Sequence, residues 1–255
     1  MCKWGANVEM HISQSFIMRI KEFGESDLLV TFFTSDKGRL KGVAKGARRS
    51  KKRFANCLDL FCLTNLEYGL QKRGDLYFLN SCKLIHGFPG LRSDFSSLSL
   101  ASYMVELTEI LFPQNVVDAN IFELLQKSFT ALDGGTRNDV LRIVFEAKAM
   151  SLGGYGINLE KCCRCGRPYT GTGRAVFMRN RGAIACLNCE KETNGCPGMA
   201  PDAVKGLRSM QTMPGDHVEK MSLTEESIRE IRPVLKLHTE YRLGKRLKSA
   251  KYLEI

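Results

Sequence analysis

Four cysteines stand as two C-x2-C pairs, Cys162/Cys165 and Cys186/Cys189, with 20 residues between them. That separation falls in the interval of about 15 to 20 residues over which two thiolate pairs close one tetrahedral Zn2+ site. Each pair, in CRCG and in CLNC, can present two soft anionic ligands on one side of the ion. In the intervening AVFMRNRGAIA, strand-like runs flank a turn at residues 180–182, which predicts a hairpin that closes the other side. Four thiolates leave no position for a reactive water, so the metal is read as a folding element. A thiol oxidoreductase using Cys162 and Cys165 is the competing chemistry, but it needs only one pair beside a βαβ pattern. Cys163 and Cys196 stand close enough to replace a ligand, and neither is expected to. Cys2, Cys57, Cys62 and Cys82 are dispersed and read as small buried hydrophobes.

The second constellation is cationic. Residues 37–53 read KGRLKGVAKGARRSKKR, with nine lysines and arginines, three glycines and no acid. The whole chain of 255 residues carries a formal charge of +11, so its positive charge is concentrated here. A solvated charge run is the ordinary reading of such a segment. Its interleaving with Leu40, Val43 and Ala44 instead predicts a strand followed by a basic loop at residues 46–50, suited to a polyanion. Phosphate contact is assigned to Lys37, Arg39, Lys41, Lys45, Arg48, Arg49, Lys51, Lys52 and Arg53, the arginines being the bidentate clamps. Phe33, Phe54, Tyr68 and Tyr77 are either base-stacking platforms or core. Two further basic groups are either solvated rims or extensions of the same track. One surrounds the knuckles (Arg164, Arg167, Arg174, Arg179, Arg181), and the other lies near the C-terminus (Lys236, Arg242, Lys245, Arg246, Lys248, Lys251).

Catalytic patterns are missing from the sequence. There is no G-x4-G-K-[ST] loop, no nucleophile elbow, and the four histidines form no H-E-x2-H motif, so a non-enzymatic role is expected. Ten cysteines without a secretory leader predict a reducing, cytoplasmic setting, and no apolar run reaches the ~20 residues needed to span a bilayer.

The elements that must position these groups change character once. Phe16, Met18 and Ile20 alternate; residues 28–33, 57–66 and 76–85 are apolar runs; glycines 24, 38, 69 and 74 fall between. This predicts a five-stranded barrel, for which the OB-fold is the common nucleic-acid-binding form and an SH3-like barrel fits almost as well. From Leu91 the period becomes helical. Ser93 and Asp94 offer an N-cap before a stripe through Leu98, Tyr103, Leu107 and Leu111. Further helices are predicted over 119–132, 138–152 and 201–213, with glycine stops after the first two. A last helix begins at a capping box from Ser222 to Glu225 and is kinked or split at Pro233.

The string FIMRIKEFGESDLLVTFFTSDKGRLKGVAKGARRSKKR followed by LDLFCLTNLEY resembles the opening of the RecO family of bacterial recombination mediators. GESDLLV, the T-x3-G-R turn and AKGARR carry the likeness; the knuckles and HTEYRLGKRLKSAKYL resemble the family's later landmarks, and residues 1–12 fall outside it. The resemblance implies an α+β chain, with an OB-fold DNA-binding domain over 13–88. A helical domain over 89–255 would follow, carrying a zinc element at about 159–196. It further implies binding to single- and double-stranded DNA and annealing of complementary strands. The implied partners are RecR, the acidic C-terminal tail of single-stranded DNA-binding protein and, indirectly, RecA, in the nucleoid. A zinc-ribbon protein that binds structured RNA is the alternative.

Overall fold

A break in alternation shapes the first strand. A computed structural model describes residues 9–70, 75–212 and 223–253. β1 (Met10–Phe23) pairs with β2 (Asp27–Thr34) and β4 (Leu63–Leu70), and β3 (Gly38–Ala44) follows β2. β5 (Tyr77–His86) closes the ring, antiparallel to β4 and parallel to β3, giving the order β1-β2-β3-β5-β4. This is the expected OB-type barrel; its parallel closure sets aside the SH3-like alternative. Ile17, Val30, Phe32, Leu40, Leu66, Tyr68 and Leu79 fill the interior. A bulge between Ile17 and Arg19 corrects the simple alternation of Phe16, Met18 and Ile20: Ile17 and Ile20 join the interior cluster, and Phe16 does not.

Phe16 instead meets its register partner Phe33 in a second aromatic cluster. The helix α3 (Ala119–Asp133) brings Phe122 and Phe129 to within 5.1 and 5.3 Å of the Phe16 ring. Phe61 and Phe88 lie 5.7 and 5.8 Å from Phe129. The run 57–66 is not one strand. Asn56 and Phe61 take positive φ (54° and 68°), so extended pairing starts only at Leu63, although Cys57, Leu58 and Phe61 are buried. Gly38 also has positive φ, and a Cβ there would collide with the carbonyl of Val116.

By contact, the barrel, α1 (Pro89–Ser93) and residues 112–133 form one compact unit. The expected division into 13–88 and 89–255 follows chain order, whereas α3 groups with the barrel.

The second unit holds α2 (Phe95–Leu111), α4 (Asn138–Leu152), α5 (Pro201–Thr212) and α6 (Glu225–Leu243). Asp94 caps α2 by accepting from the Ser97 amide at 2.8 Å. Thr224 caps α6, accepting from the Ser227 amide at 3.1 Å; Ser222, expected in a capping box, lies outside the described residues. α6 runs unbroken through Pro233. β6 (Ala175–Met178), β7 (Ala183–Cys186) and β8 (Gly198–Met199) make a small sheet in the order β7-β6-β8. Phe177 and Ile184, paired across it, enter a core with Ile143, Leu207, Ile231 and Val234. Among the described residues no helix is long and apolar enough to cross a membrane.

Phe129→Ala is expected to cost about 3 to 5 kcal/mol, because it empties the centre of the aromatic cluster. Urea unfolding followed by circular dichroism measures that loss.

Candidate metal centre and candidate nucleic-acid face

The β6–β7 hairpin has two faces, and the second one holds the cysteines. Met178 and Ala185 join Cys162 in a small buried cluster, apart from the helical core that takes Phe177 and Ile184. The ligand atoms of Cys162, Cys165, Cys186 and Cys189 all lie within 4.8 Å of one another, and the Cys165 and Cys186 Sγ atoms are 3.9 Å apart. A tetrahedron with metal–sulfur bonds of about 2.3 Å has edges of about 3.8 Å, so the spacing fits one ion. Both knuckles are tight turns: the Gly166 amide donates to the Cys162 carbonyl at 3.0 Å, and the Cys189 amide to that of Cys186 at 2.9 Å. Gly166 supplies the positive φ of 75° that the first turn requires.

Burial disfavours a thiolate at Cys162. The neighbouring Cys165 and the backbone amides of Cys186 and Arg164, each amide nitrogen 3.4 Å from the sulfur, outweigh it and lower the pKa to about 6. Cys189, hydrogen-bonded to the thiols of Cys186 and Cys165, is pushed up to about 12. Four thiolates at this spacing repel one another unless a cation sits among them. The cluster could therefore hold a metal ion. Cys163 and Cys196 pack beside it, outside the group of four.

On the barrel, outward positions of β1, β2 and β3 line up in register. Arg19, Thr31 and Lys41 form one cross-strand row, and Lys21 and Leu29 begin the next. Arg19, Lys21 and Lys41 are exposed. Beyond β3 the basic segment enters a 3-10 turn (Ala47–Arg49) and stays against the barrel. The Gly46 amide donates to Asp27 Oδ1 at 2.8 Å, and the Arg48 amide to the Ser26 carbonyl at 3.0 Å. Arg48 also pairs with Glu22 at 3.2 Å. Arg53 donates to the Lys45 carbonyl at 2.7 Å and to that of Asn80 at 3.4 Å, with its guanidinium 5.1 Å above the Phe54 ring. The basic loop expected at residues 46–50 is thus fastened to the barrel by the Asp27 carboxylate and by backbone carbonyls.

The nine assigned cations differ in exposure, and Arg48 and Arg53 are exposed while also bonded into the fold. Lys41, Lys45, Arg48, Arg49, Lys51, Lys52 and Arg53 are exposed. Lys37 and Arg39 are half-buried, and Arg39 Nε donates to the Phe112 carbonyl at 3.3 Å. Phe33, Phe54 and Tyr68 are buried; Tyr77 packs edge-on against Tyr68 at 5.3 Å. The four aromatic candidates are therefore core side chains. Arg19 and Lys21 share this outward face without being among the nine assigned cations, although the alternation R-I-K around inward Ile20 is visible in the sequence. Only the register shows that they align with Thr31 and Leu29.

Around the knuckles, Arg164 pairs with Glu190 at 2.7 Å, and Arg174 with Glu192 at 2.6 Å and Glu230 at 2.8 Å. These two arginines brace the element. Arg167, Arg179 and Arg181 are exposed. In the C-terminal basic group, Lys236, Lys245, Arg246, Lys248 and Lys251 are exposed and Arg242 is half-buried.

An OB-type barrel that turns cations outward, in a chain that also gathers four thiols, has the makings of a DNA-binding protein. Residues 10–88 match the family described as Recombination protein O N terminal, and residues 92–251 match Recombination protein O C terminal. A DNA repair protein RecO from Syntrophus aciditrophicus (strain SB) is 32% identical over 247 residues, covering 96% of this chain and 95% of its own length. Another from Desulfatibacillum aliphaticivorans is 31% identical over 246 residues, covering 95% of each. A third, from Syntrophobacter fumaroxidans (strain DSM 10017 / MPOB), is 35% identical over 176 residues, 68% of this chain and 69% of its own. The chain belongs to the RecO family of DNA repair proteins.

Arg53→Ala removes the two guanidinium–carbonyl bonds that Arg53 makes and is expected to cost ~1 kcal/mol. Amides of residues 45–53 should then exchange hydrogen faster, while those of β1 and β2 keep their protection.

Proposed function

We propose that this protein binds single- and double-stranded DNA through the outward cations of its barrel and anneals complementary strands without a nucleotide fuel. What carries the reading is the alignment of Arg19, Lys21 and Lys41 on one barrel face, continued by Lys45, Arg48, Arg49, Lys51, Lys52 and Arg53. Lys37 and Arg39 lie at the start of that track. Two complementary strands repel through their phosphates, and a cationic surface that displaces their counterions lowers the barrier to approach. The contacts are to backbone, so they impose no sequence.

Zn2+ is the metal we assign to Cys162, Cys165, Cys186 and Cys189. Thiolate is a soft ligand, and the edge lengths suit a tetrahedral ion. The hairpin buries Phe177 and Ile184 in the helical core, whereas its thiol face has only a small apolar cluster, so the ion would add folding energy on that face. No catalytic step is assigned to it.

Within the helical unit, a cleft of about 420 Å³ is lined by Phe95, Leu100, Tyr252 and Leu253 together with Arg232, Asp139 and two arginines already in ion pairs, Arg137 with Asp139 and Glu225 and Arg142 with Glu146. Apolar walls beside Arg232 and the exposed Arg137 pairs suit an acidic peptide that ends in apolar residues and can compete for those pairs, the chemistry of the tail of single-stranded DNA-binding protein. Capture of that tail would bring the barrel to coated single strands. The hand-over to RecR and the loading of RecA complete the mediator role in the cytoplasm and nucleoid.

Neutralising Arg49, Lys51 and Lys52 to glutamine should lower the slope of log affinity against log salt by about 2 to 3. Hybridisation of labelled complementary oligonucleotides should slow in parallel. An unchanged slope removes the segment from the interface, and wild-type protein that fails to speed hybridisation in dilute buffer overturns the annealing reading.

Cys186→Ser is expected to release one equivalent of zinc to a chromogenic chelator and to cost ~3 kcal/mol or more of stability. Lowering the pH should release zinc from the wild type, because protons compete for the thiolates, and raising it again should restore binding. DNA affinity of the folded fraction should stay unchanged.

A further inference from the structure

The charged face of β1 ends in an aromatic ring that the fold does not bury. Arg19, Lys21 and Phe23 occupy alternate positions after the bulge, so they share the outward face. Phe23 is 48% exposed, and among the described residues of the barrel unit no other phenylalanine or tyrosine is exposed. Its neighbour Gly24 has positive φ, and a Cβ added there would meet nothing within 4 Å, so the turn beside the ring is open to solvent.

The hairpin carrying this ring is sewn to the basic segment. Asp27, the register partner of Phe23, accepts from the Gly46 amide, and Glu22 pairs with Arg48. Lys21 precedes the ring by two residues, about 6.8 Å along a strand, which is within the reach of one nucleotide from phosphate to base.

We propose that Phe23 is a stacking platform for an unpaired nucleobase and gives the cationic face its preference for single strands. The inference rests on the phosphate-binding reading above. Phosphates are common to single strands and duplexes, so cations alone discriminate weakly. An accessible base face belongs to the single strand, since in a duplex both faces of each base are occupied by its neighbours. Stacking tolerates any sequence, as annealing requires.

Phe23→Ala and Phe23→Tyr test this by titration with oligothymidylate and with a mixed-sequence duplex of equal length. Phe23→Ala should lose about five- to a hundred-fold in oligothymidylate affinity, with duplex affinity and both salt slopes unchanged. Phe23→Tyr, which keeps a ring, should retain single-strand binding and so exclude a folding defect. The sequence has one tryptophan, Trp4, so Trp4→Phe with Phe23→Trp places a single reporter at the site. Its emission should be quenched by oligothymidylate and not by the duplex. Equal losses on both ligands, no loss on oligothymidylate, or an unquenched reporter would overturn the stacking role while a normal salt slope leaves phosphate binding standing. Binding with no salt dependence would remove both.

Discussion

The two-sided burial of β1 and β2 is the constraint from which the rest of the molecule follows. A small barrel can fill its inside with one face of each strand, and Ile17, Val30 and Phe32 do so. The other face then needs either a cover or a polar surface. The bulge between Ile17 and Arg19 sets the border between these solutions. Before it, Phe16 and its partner Phe33 are covered by the phenylalanines of α3. After it, the outward residues of β1 are Arg19, Lys21 and Phe23, and all three remain exposed. One inserted residue thus separates the part of the face that stabilises the barrel from the part left available to a ligand.

The basic segment obeys a related constraint. A chain of cations held down by carboxylates would be neutralised before it met a ligand. Here Arg53 donates to carbonyl oxygens, and the Asp27 carboxylate accepts from the backbone amide of Gly46, so neither contact neutralises a cationic side chain. Arg48 is paired with Glu22; that pair is exposed on both sides and of the kind worth at most about 1 kcal/mol, so a phosphate can compete for it. The knuckle arginines differ. Arg174 is held by two glutamates, one of them well shielded, and its charge is consumed in the fold.

Much of this was legible in the residues, for identifiable reasons. Cysteine spacing reports covalent geometry, which is short-range, so the four-thiol group and its hairpin could be read directly. Helix stops at Gly134–135 and Gly153–154 are equally local, and α4 begins and ends at the expected residues. What could not be read depends on partners distant in sequence. The bulge in β1 is defined by its register with β2, and nothing in FIMRIK marks it. The late start of β4 depends on two residues with positive φ, neither of them glycine. The grouping of α3 with the barrel follows from phenylalanines that an amphipathic pattern would equally have placed in a helical core. For the same reason Phe33, Phe54, Tyr68 and Tyr77 turn out to be core side chains, while the exposed ring at the β1–β2 turn carries no local mark in the sequence.

Annealing sets an upper limit on how tightly such a face can hold DNA. Each new base-pair step gains on average about 1.4 kcal/mol, while stacking on one aromatic is worth about 1 to 3 kcal/mol for a single base. One platform can therefore order a strand and still be displaced after one or two steps of pairing. A row of several platforms would hold successive bases against pairing and turn the protein into a strand-sequestering coat. On the proposed annealing role, a barrel whose described aromatic side chains are almost all committed to its cores would stay on the side of that limit where duplex formation wins.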